Sequence, residues 1–349
     1  MKTGYSAWME ILTHSIQSVG AETDVAQTSW QQQMKSAIRD LKTLRKTLEL
    51  PADSTGRSAE ASFAVFAPLP FVNRMQRRNP QDPLLLQLLP QALEDNSPSH
   101  YTVDPLKESD AVLGPGVLKK YTGRALFIVS GACAIHCRYC FRRTFPYSDH
   151  SVLGAGWDQA VAAIAADESI EEVILSGGDP LTVVDERLKS LIDRLEKIPH
   201  VRRLRIHTRL PIMIPDRVTT DLTATLAATR LEVVVVIHAN HANEFDNDVD
   251  AAMGRLQNSG AILLNQSVLL AGINDEARTL VDLSKRLLQA GVLPYYLHQL
   301  DQVVGTSHFE VSTTRGKEIV NQMRAQLPGF AVPRYVQEIA GESNKTVLA

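Results

Sequence analysis

Three cysteines lie between positions 133 and 140 of this 349-residue chain, and the rest of the sequence has none. Cys133, Cys137 and Cys140 follow the spacing C-x3-C-x2-C, and three thiolates brought this close together are costly unless a metal neutralises them. A closed zinc site needs a fourth ligand, which His136 or His150 would supply. Free structural cysteines are a second alternative, although those are usually scattered through a core. An iron–sulfur cluster with one open iron is the third.

Polar motifs follow five further apolar runs of the sequence. They lie at residues 176–180, 207–209, 238–241, 265–267 and 298–301. Active sites of parallel α/β folds form at the carboxyl ends of the strands, so these motifs are expected to face one site. Taken alone, Gly177-Gly178-Asp179-Pro180 is only a turn.

The elements that would position these motifs are alternating apolar runs and amphipathic stretches. The runs are residues 125–129, 172–175, 204–207, 231–237, 262–267 and 293–297. The stretches are residues 157–166, 186–197, 220–229, 249–259 and 277–290. This alternation predicts six parallel strands with helices between them, in a barrel-like α/β sheet. A further extended piece is expected at 334–339.

The first hundred residues have a different pattern. Ile38, Leu41, Leu44 and Leu48 follow helical spacing, and residues 51–58 are typical of a loop. Two short helices are predicted at 70–77 and 83–94, because each begins at a proline. Residues 96–115 are expected to be irregular. The sequence therefore predicts an α-helical N-terminal region at 1–100 and a partial barrel core at 101–349, which includes the C-terminal segment with Lys345.

Composition excludes several classes of protein. A 44% hydrophobic and 21% charged chain is typical of a globular protein. A net charge of −3 argues against a dedicated nucleic-acid binder, which needs a cationic excess. The N-terminus has no apolar segment of the signal-peptide type, and no run is long enough to span a bilayer. We therefore expect a cytoplasmic protein with neither nucleic acid nor membrane as a partner.

The cysteine motif, with Tyr139 and Phe141 beside it, resembles the signature of radical S-adenosylmethionine enzymes. This resemblance implies a partial (β/α)6 barrel of the TIM type, with a [4Fe-4S] cluster on the loop after its first strand. It also implies that the open iron binds S-adenosylmethionine, and that a glycine-rich turn after the second strand approaches the methionyl amine. The residues implied to bind this cofactor are Ser176, Gly177, Gly178, Asp179 and Gln266.

A narrower resemblance covers residues 60–349. The stretches Cys140-Phe141-Arg142-Arg143 and Pro294-Tyr295-Tyr296, together with residues 175–180 and 265–270, are similar to lysine 2,3-aminomutases. Residues 141–147 and 237–244 are most similar to the short branch of that family, which makes (R)-β-lysine for the modification of translation elongation factor P.

This resemblance implies a second cofactor, pyridoxal 5′-phosphate, bound covalently through Lys345. Arg124, with Tyr121 just upstream, matches a position near the cofactor phosphate, whereas its alternative role is that of a solvated arginine beside a strand. Members of the family hold the substrate carboxylate with an arginine, and Arg142 matches that position. A bidentate guanidinium suits a carboxylate.

Two acids are implied to bind the side-chain ammonium of the substrate, because an unpaired buried charge is costly. Asp301 matches one of them, and Glu338 stands where long members of the family have an aspartate. The alternative roles are a helix cap for Asp301 and a surface acid for Glu338.

The reaction implied is a 2,3-amino migration in L-lysine, begun by a 5′-deoxyadenosyl radical. The expected partners are L-lysine, a reducing electron donor, elongation factor P and its lysyl-ligating enzyme, while a homo-oligomer is left open. The alternatives are an aminomutase for another amino acid, a different radical reaction, or a zinc-binding scaffold protein.

Overall fold

The computed structural model describes residues 29–51, 63–144 and 156–349, and the strands in these segments form one sheet in chain order. They are β1 (Val112–Gly114), β2 (Val117–Tyr121), β3 (Arg124–Ser130), β4 (Glu172–Gly177), β5 (Arg203–Thr208), β6 (Glu232–His238), β7 (Ile262–Val268), β8 (Leu293–His298), β9 (Arg334–Gln337) and β10 (Thr346–Val347). Neighbouring strands from β3 to β9 are parallel. The pairs β1–β2, β2–β3 and β9–β10 are antiparallel.

All six predicted strands are present as β3 to β8, and the extended piece near the C-terminus is β9. The helices in the described segments are α1 (Trp30–Lys35), α2 (Leu41–Thr47), α3 (Leu69–Val72), α4 (Gly156–Ala165), α5 (Asp185–Leu195), α6 (Leu210–Met213), α7 (Thr220–Ala228), α8 (Asn247–Asn258), α9 (Ala277–Gln289) and α10 (Thr313–Arg324). The five predicted amphipathic helices are α4, α5, α7, α8 and α9. The prediction of a partial (β/α)6 barrel with an α-helical N-terminal region is confirmed.

The core lies on both faces of the parallel sheet. Residues 233–237 of β6 are all buried, which is why this strand is a continuous apolar run in the sequence. Outside the sheet, Leu280, Leu283 and Leu287 are buried along one face of α9, at helical spacing. The N-terminal Leu44 packs into the same hydrophobic cluster as these residues. The division of the chain at residue 100 stays a prediction.

The N-terminal region differs from its predicted helices. α3 covers only the start of the predicted 70–77 helix. Residues 83–88 form turns, and a short 3-10 helix follows at Ala92–Asp95. The buried carboxylate of Asp82 accepts the backbone N–H groups of Leu84 and Leu85 at 2.9 and 3.0 Å. This side chain holds a turn where a helix was predicted. Most of the predicted loop at 51–58 lies outside the described residues.

The sheet also begins earlier than the sequence indicates. β1 and β2 form a hairpin within and just after the stretch 96–115 that was expected to be irregular. β2 is hard to detect because two apolar residues are followed by Lys119 and Lys120. In the described segments, no helix combines the length and the apolar character needed to cross a membrane.

Candidate active site

One cavity of about 590 Å³ is lined by every residue that the sequence assigned to the site. They are Cys133, Cys137, Cys140, Ser176, Gly177, Gly178, Asp179, Gln266, Arg142, Asp301, Glu338, Lys345, Arg124 and Tyr121. The cysteine loop follows the last residue of β3, whereas Arg124 is the first residue of that strand. The cavity therefore extends along β3, over roughly 20 Å at the usual rise per residue.

The three cysteines are free thiols, partly exposed to this cavity. Burial raises the pKa of Cys133 well above that of an ordinary thiol, and the neighbouring Cys140 raises it further. Burial also raises the pKa of Cys140 to about 11, with Cys137 adding to the effect. Thiols in such surroundings ionise only when a bound metal compensates the negative charge. The donor set therefore fits an iron–sulfur cluster.

A single metal ion, such as zinc, would need ligands that converge on one point. Within the described segments, no three His, Cys, Asp or Glu side chains are grouped so that they could hold one ion. In a [4Fe-4S] cluster each cysteine binds a different iron, so the sulfurs need not converge on one point. His136 is directed to the N-terminal region, because its Nδ1 lies 2.8 Å from the carbonyl oxygen of Ala64 and its ring stacks on Phe63. His150 lies outside the described residues.

The two glycines after β4 are packed against the backbone of the cysteine loop. A Cβ atom on Gly177 would lie 2.4 Å from the carbonyl oxygen of Ser130, and one on Gly178 would lie 2.3 Å from that of Ala132. Gly177 also has a φ of +118°, which favours glycine. The sequence predicted these glycines for close approach to a cofactor. The structure adds a second requirement, because they let the loop that carries the cysteines sit on the sheet.

Replacing Gly178 with alanine is expected to lower the free energy of unfolding by about 2 kcal/mol, because the clash is with backbone that cannot rotate away. Iron binding should fall as well, since the cysteine loop must move. Gly254 is the matched control, because it lies in α8 and a Cβ atom there would have no neighbour within 4 Å. Gly254→Ala should raise stability by up to about 1 kcal/mol. Anaerobic urea unfolding and iron analysis of both variants would test this, and equal behaviour would contradict it.

Asp179 is buried, and its carboxylate accepts hydrogen bonds from the turn that follows it and from the end of β5. It accepts the backbone N–H of Leu181 at 2.9 Å, that of Arg209 at 2.7 Å and the hydroxyl of Thr208 at 2.8 Å. Burial raises its pKa, although these hydrogen bonds oppose the shift. Asp179 lines the cavity as predicted, and its hydrogen bonds connect the glycine-rich turn to the end of β5.

Arg142 is buried beside the glycine-rich turn and is paired with Glu108. Its Nε and Nη2 donate to the two carboxylate oxygens of Glu108, both at 2.8 Å. Its Nη1 lies farther from its partners, at 3.2 Å from the Ser176 hydroxyl and 3.4 Å from the Gly177 carbonyl oxygen. Burial raises the pKa of Glu108, but the charges of Arg142 and Lys120 outweigh it and hold that pKa at about 2. Glu108 therefore fixes one edge of the guanidinium.

Replacing Glu108 with glutamine is expected to lower kcat/KM for the substrate about 30-fold, because a fixed, charge-assisted pair of this kind contributes about 2 kcal/mol. Glu232→Gln is the control, since Glu232 pairs with Arg203 where β5 and β6 begin, and both side chains are exposed there. That variant should behave like the wild type. Steady-state kinetics, with thermal unfolding to confirm that both variants are folded, would measure the difference. An unchanged kcat/KM in Glu108→Gln would show that Arg142 needs no such support.

Glu338 is paired with two lysines of the chain itself. Its Oε1 accepts from Lys120 Nζ at 2.9 Å, and its Oε2 accepts from Lys345. Burial opposes ionisation of Glu338, but these two cations lower its pKa to about 2. Lys120 also contacts Glu108 at 3.1 Å, so it connects the Arg142 end of the cavity with the Lys345 end. The Lys120–Glu338 ion pair joins β2 to the segment after β9, and these two strands lie near opposite ends of the sheet order.

Asp301 lies deep in the same cavity, after β8. Within the described segments its carboxylate forms no ion pair and no side-chain hydrogen bond, unlike Glu338. Burial raises its pKa to about 7, and the negative charge of Glu338 contributes to the shift. A buried carboxylate without an ion pair is stabilised strongly by a bound cation, because the ligand supplies the positive charge that the protein does not.

Arg124 and Tyr121 meet at the turn between β2 and β3. The guanidinium lies over the Tyr121 ring, 5.0 Å from its centroid. Burial raises the pKa of Tyr121, and the nearby Glu338 raises it further. Arg205 and Arg334 line the same cavity, so this part of it offers several donors to an anionic group. Gln266 lines the cavity from β7, where it pairs in register with His238 of β6.

Other charged residues that the sequence did not assign to the site also line the cavity, among them Glu108, Lys120 and Arg209. Glu108 lies in the stretch expected to be irregular, and Lys120 lies in the strand that was not predicted. Arg209 follows the third apolar run, within a motif that was noted but given no role. Its Nη1 lies 2.8 Å from the sulfur of Cys137. The position of Arg209 after a strand was a usable signal, whereas nothing local marks Glu108.

The geometry agrees with comparisons to known proteins. Residues 112–204 match the family model described as a 4Fe-4S single cluster domain. The chain is 47% identical over 323 residues to the L-lysine 2,3-aminomutase of Haemophilus influenzae, covering 92% of this chain and 96% of that protein. It is 44% identical to that of Escherichia coli K12, covering 91% and 94%. It is 33% identical to that of Clostridium subterminale, covering 93% and 78%.

These similarities extend over most of the barrel as well as the cysteine loop. They confirm the resemblance inferred from the sequence motifs. The chain belongs to the L-lysine 2,3-aminomutase family.

Proposed function

We propose that this enzyme moves the α-amino group of L-lysine to the β-carbon and so forms β-lysine. The family and the matching cluster domain make it an isomerase with a [4Fe-4S] cluster. The observation that carries the choice of substrate is the charge pattern of the cavity. It offers a buried arginine, Arg142, for a carboxylate and an acid without a partner among the described residues, Asp301, for an ammonium group.

Arg142 is proposed to bind the substrate carboxylate. Its bidentate pairing with Glu108 engages Nε and Nη2, while Nη1 makes longer contacts with Ser176 and Gly177. A substrate carboxylate would form a shorter, charge-assisted pair with the same nitrogen and displace these contacts. Glu108 then orients the guanidinium, because it fixes Nε and Nη2 before the substrate arrives.

Asp301 and Glu338 are proposed to bind the ε-ammonium group of lysine. Asp301 is available directly. Glu338 is available at Oε2 as lysine enters the cavity, while Lys345 is still bound to the pyridoxal phosphate and its ion pair with Glu338 is broken. Lys120 remains paired with Oε1 of Glu338, and its positive charge partly neutralises the two acids. A glutamate side chain would be repelled from this end of the cavity.

The remaining residues are proposed to hold the cofactors. Cys133, Cys137 and Cys140 would ligate three irons, while Ser176, Gly177, Gly178, Asp179 and Gln266 would surround S-adenosylmethionine. When bound, the cluster and S-adenosylmethionine supply the radical that begins the rearrangement, and pyridoxal phosphate carries the migrating amino group. Lys345 would be the covalent attachment point of the latter, and Arg124 and Tyr121 would face its phosphate.

Anaerobic incubation of the iron-loaded protein with L-lysine, S-adenosylmethionine, pyridoxal phosphate and dithionite is expected to yield β-lysine. Omission of either organic cofactor is the negative control. L-glutamate is the matched substrate, because its side chain carries the opposite charge, and it should not react. If glutamate or another amino acid were converted while lysine was not, the substrate proposal would be wrong and the family assignment would stand.

We also propose that the product is (R)-β-lysine, supplied in the cytoplasm for attachment to elongation factor P by its lysyl-ligating enzyme. Support comes from the resemblance of residues 141–147 and 237–244 to the short branch of the family, and from the higher identity to the Haemophilus and Escherichia relatives, 47% and 44%, than to the clostridial one, 33%. Chiral chromatography of the product tests the configuration. Intact-mass analysis of the factor from cells with and without the enzyme tests the role.

A further inference from the structure

Arg209 is held directly behind the cysteine loop. It lies between β5 and α6, and its backbone N–H donates to the carboxylate of Asp179 at 2.7 Å. Its side chain is buried, and its charge is paired with the equally buried Glu244 at 3.0 Å. The glycine-rich turn thus fixes the backbone of Arg209, and Glu244 fixes the guanidinium.

The terminal nitrogens of this guanidinium have a full set of acceptors. Nη1 lies 2.8 Å from the sulfur of Cys137 and 2.7 Å from the hydroxyl oxygen of Tyr139. Nη2 lies 2.5 Å from Gln87 Oε1 and 3.0 Å from Glu244 Oε2. Four N–H groups therefore meet four acceptors, and one of these acceptors is the sulfur atom of a cysteine proposed to bind iron.

Such a contact has a predictable electrostatic effect. Reduction adds an electron to an iron–sulfur cluster, and a hydrogen bond or positive charge at a ligand sulfur stabilises the reduced form. The effect is strengthened here because the guanidinium of Arg209 is buried and poorly screened by water. Glu244 opposes it, since its negative charge lies on the other nitrogen of the same guanidinium.

We propose that Arg209 is a positioning residue that orients the Cys137 sulfur and raises the reduction potential of the cluster, and that Glu244 limits this rise. The proposal rests on the proposed cluster site and is independent of the substrate. A purely structural ion pair would make a different prediction, because loss of either partner would then destabilise the fold without a directed change in potential.

The test is an EPR-monitored redox titration of the iron-loaded protein. Arg209→Gln should shift the midpoint potential to more negative values, because a donor and a positive charge are lost. Glu244→Gln should shift it to more positive values, because the opposing charge is lost. Arg217→Gln is the matched control, since Arg217 is also fully buried and paired with an acid, Asp185, but contacts the carbonyl oxygens after β4. Its midpoint should equal that of the wild type.

Opposite shifts in the two variants would support the proposal. An unchanged midpoint in iron-loaded Arg209→Gln, or shifts of both variants in the same direction, would overturn it. If Arg209→Gln bound no iron, Arg209→Lys would be titrated instead. Its ammonium group keeps the positive charge but cannot donate to the Cys137 sulfur and to Glu244 at the same time. A smaller negative shift is expected there, and no shift would overturn the proposal. Failure of the wild type to bind a cluster would instead contradict the proposed cysteine site.

Discussion

Replacing Lys345 with arginine is expected to lower kcat for β-lysine formation by more than about 1000-fold. Arginine keeps a positive charge opposite Glu338, so the ion pair that Lys345 forms there is retained. A guanidinium does not, however, form a covalent bond with the aldehyde of pyridoxal phosphate. Iron content and thermal stability should therefore match those of the wild type, while activity is lost. Product chromatography alongside iron analysis would measure both.

Lys120 provides a matched control for this prediction, because both lysines contact Glu338 in the same cavity. Borohydride reduction of the protein loaded with pyridoxal phosphate, followed by peptide mass spectrometry, should find the adduct on Lys345. The same adduct should be found in Lys120→Arg and should be absent from Lys345→Arg. An adduct on Lys120, or a Lys345→Arg variant with normal turnover, would remove Lys345 from its proposed role.

The barrel could be predicted from the sequence because its signals are local. A strand buried on both faces must be apolar throughout, and β6 shows this directly, while the apolar spacing of α9 follows from one buried face. β2 could not be predicted in the same way. It joins the sheet through its pairing with β3, and only the first part of it is apolar.

The site was predictable where its chemistry is encoded in spacing, and unpredictable where it depends on long-range pairing. Cys133, Cys137 and Cys140 share one loop, so their spacing favoured a metal site, and their position after the first strand together with the resemblance to radical S-adenosylmethionine enzymes indicated an iron–sulfur cluster. Glu108 meets Arg142 across 34 residues, and Arg209 meets Cys137 across 72. Such pairs arise from the folding of the barrel, so the sequence does not indicate which residues are partners, even where a residue such as Arg209 is marked by its position after a strand.

Replacing Asp301 with asparagine is expected to raise KM for L-lysine about 100-fold, because the substrate ammonium loses a buried charge partner worth about 3 kcal/mol. Asparagine has nearly the same size, so the cavity should keep its shape. L-norleucine is the matched ligand, because it lacks the ammonium group of lysine. As a competitive inhibitor it should bind the wild type and Asp301→Asn equally well. Equal weakening of both ligands would indicate a change in cavity shape rather than a lost charge.

The same residue predicts how activity depends on pH. The pKa of Asp301 in the free enzyme is about 7, raised by burial and by the charge of Glu338. Below pH 7 its carboxyl group is protonated and cannot pair with an ammonium group, so kcat/KM should fall tenfold per pH unit. Asp301→Asn should lack this acid limb. Glu338→Gln should move it to lower pH, because one cause of the raised pKa is removed. An acid limb that persisted unchanged in Asp301→Asn would assign it to another group and remove Asp301 from the ammonium site.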